Sequence, residues 1–156
     1  ISRAIDGIRQ RLSSRVARGK HSADAGEQIL ARLTPVTTIS ALAKADLVIE
    51  AASERLEVKK ALFTQLAEIC PPQTLLASNT SSISVTAIAA EINHPERVAG
   101  LHFFNPAPVM KLVEVYKVVM QFGLTDGILV DYIQLNVLNI LMKMEIQDLT
   151  MLMIIL

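Results

Sequence analysis

The sequence contains one cysteine, no tryptophan, and no pair of glycines in G-x-G spacing among its six. Each shortage removes a class of reading. A lone Cys70 can form neither an intramolecular disulfide nor a metal cage, so no metal site is expected and a reducing, cytoplasmic setting is the default. Charge is balanced, with 15 basic and 15 acidic residues, which leaves no excess field to hold nucleic acid or an anionic membrane. The uncharged run from Pro71 to Ala90 holds two prolines and the polar string Ser78 to Ser82, so no membrane span is expected there. The chain opens at Ile1 with neither an initiator Met nor a signal-peptide pattern, and it reads as a fragment.

What is present is apolar. Hydrophobic residues make up 51% of the 156 positions, enough for one ordinary core and too much for a disordered chain. Ile5, Ile8, Leu12 and Val16 form an amphipathic stripe that ends near Gly19. A second helix is predicted from Ala23 to Leu33, then a short strand at Val36 and a helical turn over Ile39 to Ala45. The buried-strand signal Leu47-Val48-Ile49 follows, flanked by Asp46 and Glu50. Leu56, Leu62, Leu66 and Ile69 mark a helix that Pro71 and Pro72 stop. Leu75 to Ala77 is a further strand, Val85 to Ile92 a helix, Val98 to Phe104 a strand, and Leu112 to Val118 alternates like another. Strand and helix in turn at these spacings predict an α/β domain with a mostly parallel sheet.

In a doubly wound sheet, ligands meet the carboxyl ends of the strands. Here those ends are Glu50 to Glu54, Ser78 to Ser82 and His102 to Asn105. His102 lies in an apolar strand and Glu114 in the next. Both are equally far from residue 108, so an antiparallel pair bent there makes them face each other. A carboxylate on one imidazole nitrogen fixes the tautomer and leaves the other free to take a proton from a substrate hydroxyl. A structural ion pair would explain the same two residues, because a buried Glu needs a partner in any case. Helix capping accounts for one or two of the residues Ser78 to Ser82; the others are available to hydrogen-bond a ligand. Glu54, Lys59 and Lys60 read equally well as ordinary charges on an exposed helix face. His21 and His94 look like surface residues, and Cys70 like the buried end of a helix.

Three strings then become specific: Asp46-Leu-Val-Ile-Glu-Ala-Ala-Ser-Glu, Ala77-Ser-Asn-Thr-Ser-Ser-Ile, and Gly100-Leu-His-Phe-Phe-Asn-Pro-Ala-Pro-Val-Met-Lys-Leu-Val-Glu-Val. Together they resemble the 3-hydroxyacyl-CoA dehydrogenase family, in particular its bacterial 3-hydroxybutyryl-CoA and 3-hydroxyadipyl-CoA types, from Ile1 to about Val118. The resemblance implies an NAD-dependent oxidation of (S)-3-hydroxyacyl-CoA to 3-oxoacyl-CoA, in fatty acid or related acyl-CoA metabolism. It makes His102 the general base, Glu114 its support, and Ser81 a hydrogen-bond donor to the substrate oxygen. Glu54, Lys59, Ala51, Ala52 and Asn79 match positions that approach NAD, and Asn105 lies beside the substrate. The first helix, with Lys20 near its end, matches the region that meets coenzyme A. An intact member of the family is expected to be a homo-oligomer.

Two departures qualify that expectation. The family's opening βαβ unit, with its G-x-G-x-x-G turn, and its C-terminal helical domain are missing, so the fold expected is an incomplete Rossmann-like one. Residues 1–118 then form a partial NAD-binding domain and 119–156 an atypical apolar tail. Beyond Pro108 there is no Ala, Pro, Ser, Arg or Cys, while five of the six Met lie beyond Val119. That composition suggests a frame-shifted or joined stretch, a hypothesis that an uninterrupted in-frame match of the coding DNA to an intact relative would remove. The tail from Ile128 to Leu156 is compatible with an amphipathic helix, and Asp131, Lys143, Glu145 and Asp148 keep it from reading as a membrane span. The isolated chain is expected to turn over little or no substrate. The competing expectation is a non-catalytic interaction module that associates through an exposed sheet edge and the tail.

Overall fold

The computed structural model describes residues 2–107, 110, 113–117, 133–135 and 151–154. The chain divides into two compact units, residues 1–41 and 42–156.

The first unit is a helical pair, α1 (Ser2–Ala17) and α2 (Ala23–Ala31). Gly19 ends the α1 segment at a φ of 67°, a left-handed conformation that glycine adopts without strain. Ser22 starts α2, its hydroxyl accepting a bond from the Ala25 amide at 3.1 Å. Gly26 is buried facing Val16, where a Cβ would lie 3.4 Å from the Val16 methyl. Val36 is irregular backbone, not the short strand its β-branched side chain suggests. A single such residue between Pro35 and the threonines has no pairing partner to hold it extended.

The second unit is a six-stranded sheet. Its strands are β1 (Leu47–Glu50), β2 (Leu75–Ser78), β3 (Val98–Phe103), β4 (Val113–Lys117), β5 (Ile133–Leu135) and β6 (Met151–Ile154), in the order β5-β4-β3-β2-β1-β6. The pairs β6/β1, β1/β2 and β2/β3 are parallel, and the pairs β3/β4 and β4/β5 antiparallel. This is the Rossmann-like, mostly parallel α/β sheet that the run of strands and helices predicts. The expected tail helix is contradicted at both described segments, which are strands; the remainder of 119–156 lies outside the described residues. The reason is visible at β6, where the apolar run Met151-Leu152-Met153-Ile154 pairs with Leu47 to Glu50, an edge otherwise left open.

Helix α3 (Leu56–Ile69) connects β1 to β2, and α4 (Val85–Ala89) leads from β2 toward β3. The latter stops three residues short of the predicted Ile92. The core is built from Val48, Ile49, Phe63, Leu66, Leu76 and Ile88, each no more than 2% exposed. Burial of each such side chain contributes roughly 1.5–3 kcal/mol. Lys59, Leu62, Phe63, Leu66 and Cys70 fall on one helical stripe, and all five are buried. Thus Lys59 is not an exposed helix charge; its neighbour Lys60 is half-buried and pairs with Glu91 at 2.7 Å near the surface. Arg97, next to the start of β3, is also buried. Its guanidinium donates to the carbonyls of Ala67 at 2.8 Å, Cys70 at 3.3 Å and Pro71 at 2.6 Å, closing the C-terminal end of α3. No helix among the described residues is long and apolar enough to cross a membrane.

Candidate functional site

Because β1, β2 and β3 run parallel, Glu50, Ser78 and the end of β3 arrive at one edge of the sheet. Glu50, Ser78 and Gly100 are in register across it. Two groups of polar and charged side chains among the described residues collect along this edge.

The first group is centred on acids. Glu50 is completely buried, and its carboxylate accepts from Lys59 Nζ at 2.8 Å on each oxygen, from Ser78 Oγ at 2.6 Å and from the Ala52 amide at 2.5 Å. Lys59 Nζ also lies 3.3 Å from Glu54 Oε2. On its other oxygen, Glu54 accepts from the Thr80 hydroxyl, from the Ser81 amide at 3.0 Å and from the Ser82 hydroxyl at 3.4 Å. Partial burial alone would raise the Glu54 carboxyl. The bonds from Thr80, Ser81 and Lys59, with the Lys59 charge, outweigh it and hold Glu54 below the usual glutamate value. Thr80 also accepts from the amides of Ser82 and Ile83, which shapes the turn into α4. The cap of that helix is Ser84, through Ala87, and not a residue of the Ser78 to Ser82 string; the Ser81 hydroxyl makes no hydrogen bond among the described residues.

The second group spans β3 and β4. His102 pairs directly opposite Glu114 in the ladder, and its Nδ1 lies 3.0 Å from Glu114 Oε2. The Tyr116 hydroxyl donates to the same oxygen. That bond, then the one from His102, and then the His102 charge hold Glu114 below the usual glutamate value, against an opposing effect of burial. With Glu114 ionised, Nδ1 is the donor, and neutral imidazole then presents Nε2 as an acceptor. Nε2 has no hydrogen-bond partner among the described residues, and the His102 side chain keeps 20% of its exposure. Its ring packs at 4.9 Å from that of Phe104.

The groups are tied together through Asn79. Its amide donates to the Glu50 carbonyl at 2.7 Å, and its Oδ1 accepts from the Phe103 amide, next to His102, at 2.8 Å. Ala51 and Ala52 follow β1 half-buried, and Asn105 is exposed just beyond β3. No hydrogen bond among the described residues links Asn105 to either group. His94 and Glu96 pair at the surface, away from both. The roles of Glu50, Tyr116 and Arg97 are not singled out by sequence reasoning. Lys59's spacing from Leu62, Phe63 and Leu66 is the signal that marks its burial.

Chemically, the acid group offers a part-exposed carboxylate, a free serine hydroxyl and two small side chains. Two carboxylates to one ammonium give a net negative corner. It suits a ligand with hydroxyl or amide donors and a neutral or cationic ring, and it repels phosphate. The imidazole offers a proton acceptor at the same edge. Among the described residues, no three His, Cys, Asp or Glu side chains gather as metal ligands would.

Comparison with known proteins gives this chemistry a setting. The family described as "3-hydroxyacyl-CoA dehydrogenase, NAD binding domain" matches residues 1–120. The chain is 78% identical over 115 residues to 3-hydroxyadipyl-CoA dehydrogenase of Escherichia coli K12, a match covering 74% of this chain and 24% of that protein. Among solved structures, it is similar to 3-hydroxybutyryl-CoA dehydrogenase from E. coli K12, with TM-score 0.72, 79% identity, and coverage of 73% of this chain and 24% of the other. It is also similar to (S)-3-hydroxybutyryl-CoA dehydrogenase from Ralstonia eutropha, with TM-score 0.74, 33% identity, and coverage of 79% and 44%. The chain therefore spans less than half the length of each of these relatives. By the match over residues 1–120, the chain belongs to the NAD-binding domain family of the 3-hydroxyacyl-CoA dehydrogenases.

Proposed function

We propose that this chain forms part of the cofactor-binding and catalytic region of an NAD-dependent (S)-3-hydroxyacyl-CoA dehydrogenase, with residues 1–118 as the segment concerned. The observation that carries the reading is the His102–Glu114 pair, held at 3.0 Å with one imidazole nitrogen left over. NAD, when bound, supplies the hydride acceptor. His102 takes the proton of the 3-hydroxyl at Nε2 as the substrate carbon is oxidised. Glu114 accepts from Nδ1, fixes the tautomer and stabilises the imidazolium. The Ser81 hydroxyl donates to the substrate oxygen, and Asn105 lies beside the substrate. The nicotinamide-ribose end of the cofactor fits the acid group by its chemistry. With the cofactor bound, Glu54 would accept from ribose hydroxyls and Ala51 and Ala52 would leave room for a flat ring, while Asn79 orders the neighbouring backbone and Lys59 stands behind Glu54. An acyl-CoA is the substrate class, a reducing cytoplasmic setting suits the free Cys70, and the whole enzyme is a homo-oligomer.

A chimera tests the reading. The aligned 115 residues of the E. coli protein are replaced by those of this chain, and NADH formation from 3-hydroxybutyryl-CoA and 3-hydroxyadipyl-CoA is followed. Turnover of at least one substrate is expected. A folded chimera that binds NADH but oxidises neither would contradict the assignment. The 156-residue chain alone is expected to show little or no turnover, because the described corner has nothing with which to hold a pyrophosphate.

A further inference from the structure

Resting on the cofactor reading above, we propose that Glu50 is a positioning residue. Its one buried carboxylate sets the run of the cofactor-facing edge from Ala52 through Lys59 and Glu54 to Ser81 without itself touching cofactor or substrate. It is wholly buried, so contact with a ligand is closed to it, yet Ala52 and Lys59 are one interaction away, Glu54 two and Ser81 three. The carboxylate holds the loop after β1 through the Ala52 amide, holds Lys59 with both oxygens, and holds the end of β2 through Ser78. Lys59 passes the constraint to Glu54, and Glu54 passes it to the Ser81 amide. A separate connection, made by the Glu50 backbone carbonyl and independent of the carboxylate, runs to the Asn79 backbone amide and from Asn79 Oδ1 to the Phe103 amide beside His102.

A purely structural need does not call for an acid here. The three preceding residues, Leu47 to Ile49, are apolar, and a buried ion pair is often no more stabilising than well-packed apolar side chains of equal volume. What the acid adds is direction. The carboxylate accepts from the Ala52 N–H, from the Lys59 ammonium on both oxygens and from the Ser78 hydroxyl, and only a carboxylate offers the ammonium two accepting oxygens and an opposite charge. A network of this kind fixes one arrangement out of several.

Amide hydrogen exchange on the full 156-residue chain, without cofactor, tests the relay. Glu50→Gln keeps the shape but places an NH2 group among donors. The Ser81 amide, which makes no bond to Glu50, is expected to exchange about tenfold faster, while the core amides of Leu66 and Leu76 keep their parental rates. Glu50→Asp, which keeps the charge and shortens the reach, serves if Glu50→Gln fails to fold; the same selective change at Ser81 is expected. Ser81 exchange unchanged in a folded variant, uniform acceleration of all amides, or failure of both variants to fold would each overturn the proposal in favour of a local or purely structural role. In the chimera, which supplies the rest of the E. coli protein, NADH is expected to bind, and Glu50→Gln is expected to weaken that binding. A folded chimera that does not bind NADH would count against the cofactor reading, and the exchange rates would still decide the relay.

Discussion

Gly100 lies directly opposite Tyr116 in the β3/β4 ladder, and the missing Cβ at 100 is what gives the tyrosine ring its place. A Cβ there would stand 2.6 Å from Tyr116 Cδ2 and 3.1 Å from a Val85 methyl. The ring has to move, and its hydroxyl is bonded to the carboxylate that supports His102. Gly100→Ala is therefore expected to destabilise the chain by about 1–3 kcal/mol in urea unfolding. It should also lower turnover of the chimera through Glu114. Unchanged stability would mean that the tyrosine has another place to go.

Acid should weaken the fold through Glu54 and Glu114. Both carboxyls are held below the usual value in the folded chain. Their contribution is full above the unfolded-state value, declines as pH falls through it, and is lost below the folded value. The thermal midpoint should therefore fall as the pH drops below about 5. The double variant Glu54→Gln, Glu114→Gln should show a shallower fall over that window. Parallel curves for parent and variant would count against both networks.

Arg97 joins elements far apart in sequence. Its three bonds reach the carbonyls of Ala67, Cys70 and Pro71, and the side chain is buried. Arg97→Met fills the space but leaves those carbonyls unpaired, at an expected loss of about 2–4 kcal/mol. Chemical denaturation measures it, and a loss below about 0.5 kcal/mol would show that water replaces the guanidinium.

Cys70 should resist alkylation in the folded chain. Burial pushes its thiol up, against the pull of Arg97, and Sγ lies 3.5 Å from the Leu42 carbonyl. Iodoacetamide at pH 8 is expected to label it only as fast as the chain opens, so urea should accelerate labelling steeply. Rapid labelling without denaturant would contradict the burial.

The most legible part of the site was the His102–Glu114 pair, because an antiparallel bend makes register a matter of counting from its centre. The central strands were legible for a similar reason: Leu47-Val48-Ile49 and Leu75-Leu76-Ala77 are short apolar runs ended by polar residues. Lys59 was harder. Its charge suggests exposure, whereas its spacing from Leu62, Phe63 and Leu66 requires burial, and the spacing prevailed because Glu50 was there to receive it. Arg97 was not legible, since its partners come near only in the fold, whereas Tyr116 stands two residues from Glu114 on the same face of β4, a spacing that marks it. The tail strand Met151–Ile154 was misread as helix because a short apolar run carries no period of its own. Its pairing with β1 is a tertiary choice.

The proposed oxidation depends on His102 as the base, and the chimera carrying His102→Gln tests that role most directly. NADH formation from 3-hydroxyacyl-CoA at saturating NAD, compared with the chimera that keeps His102, is predicted to drop by about 10²–10⁴-fold with NADH affinity unchanged. A rate within about threefold of the parent would contradict the assignment of proton transfer to this imidazole.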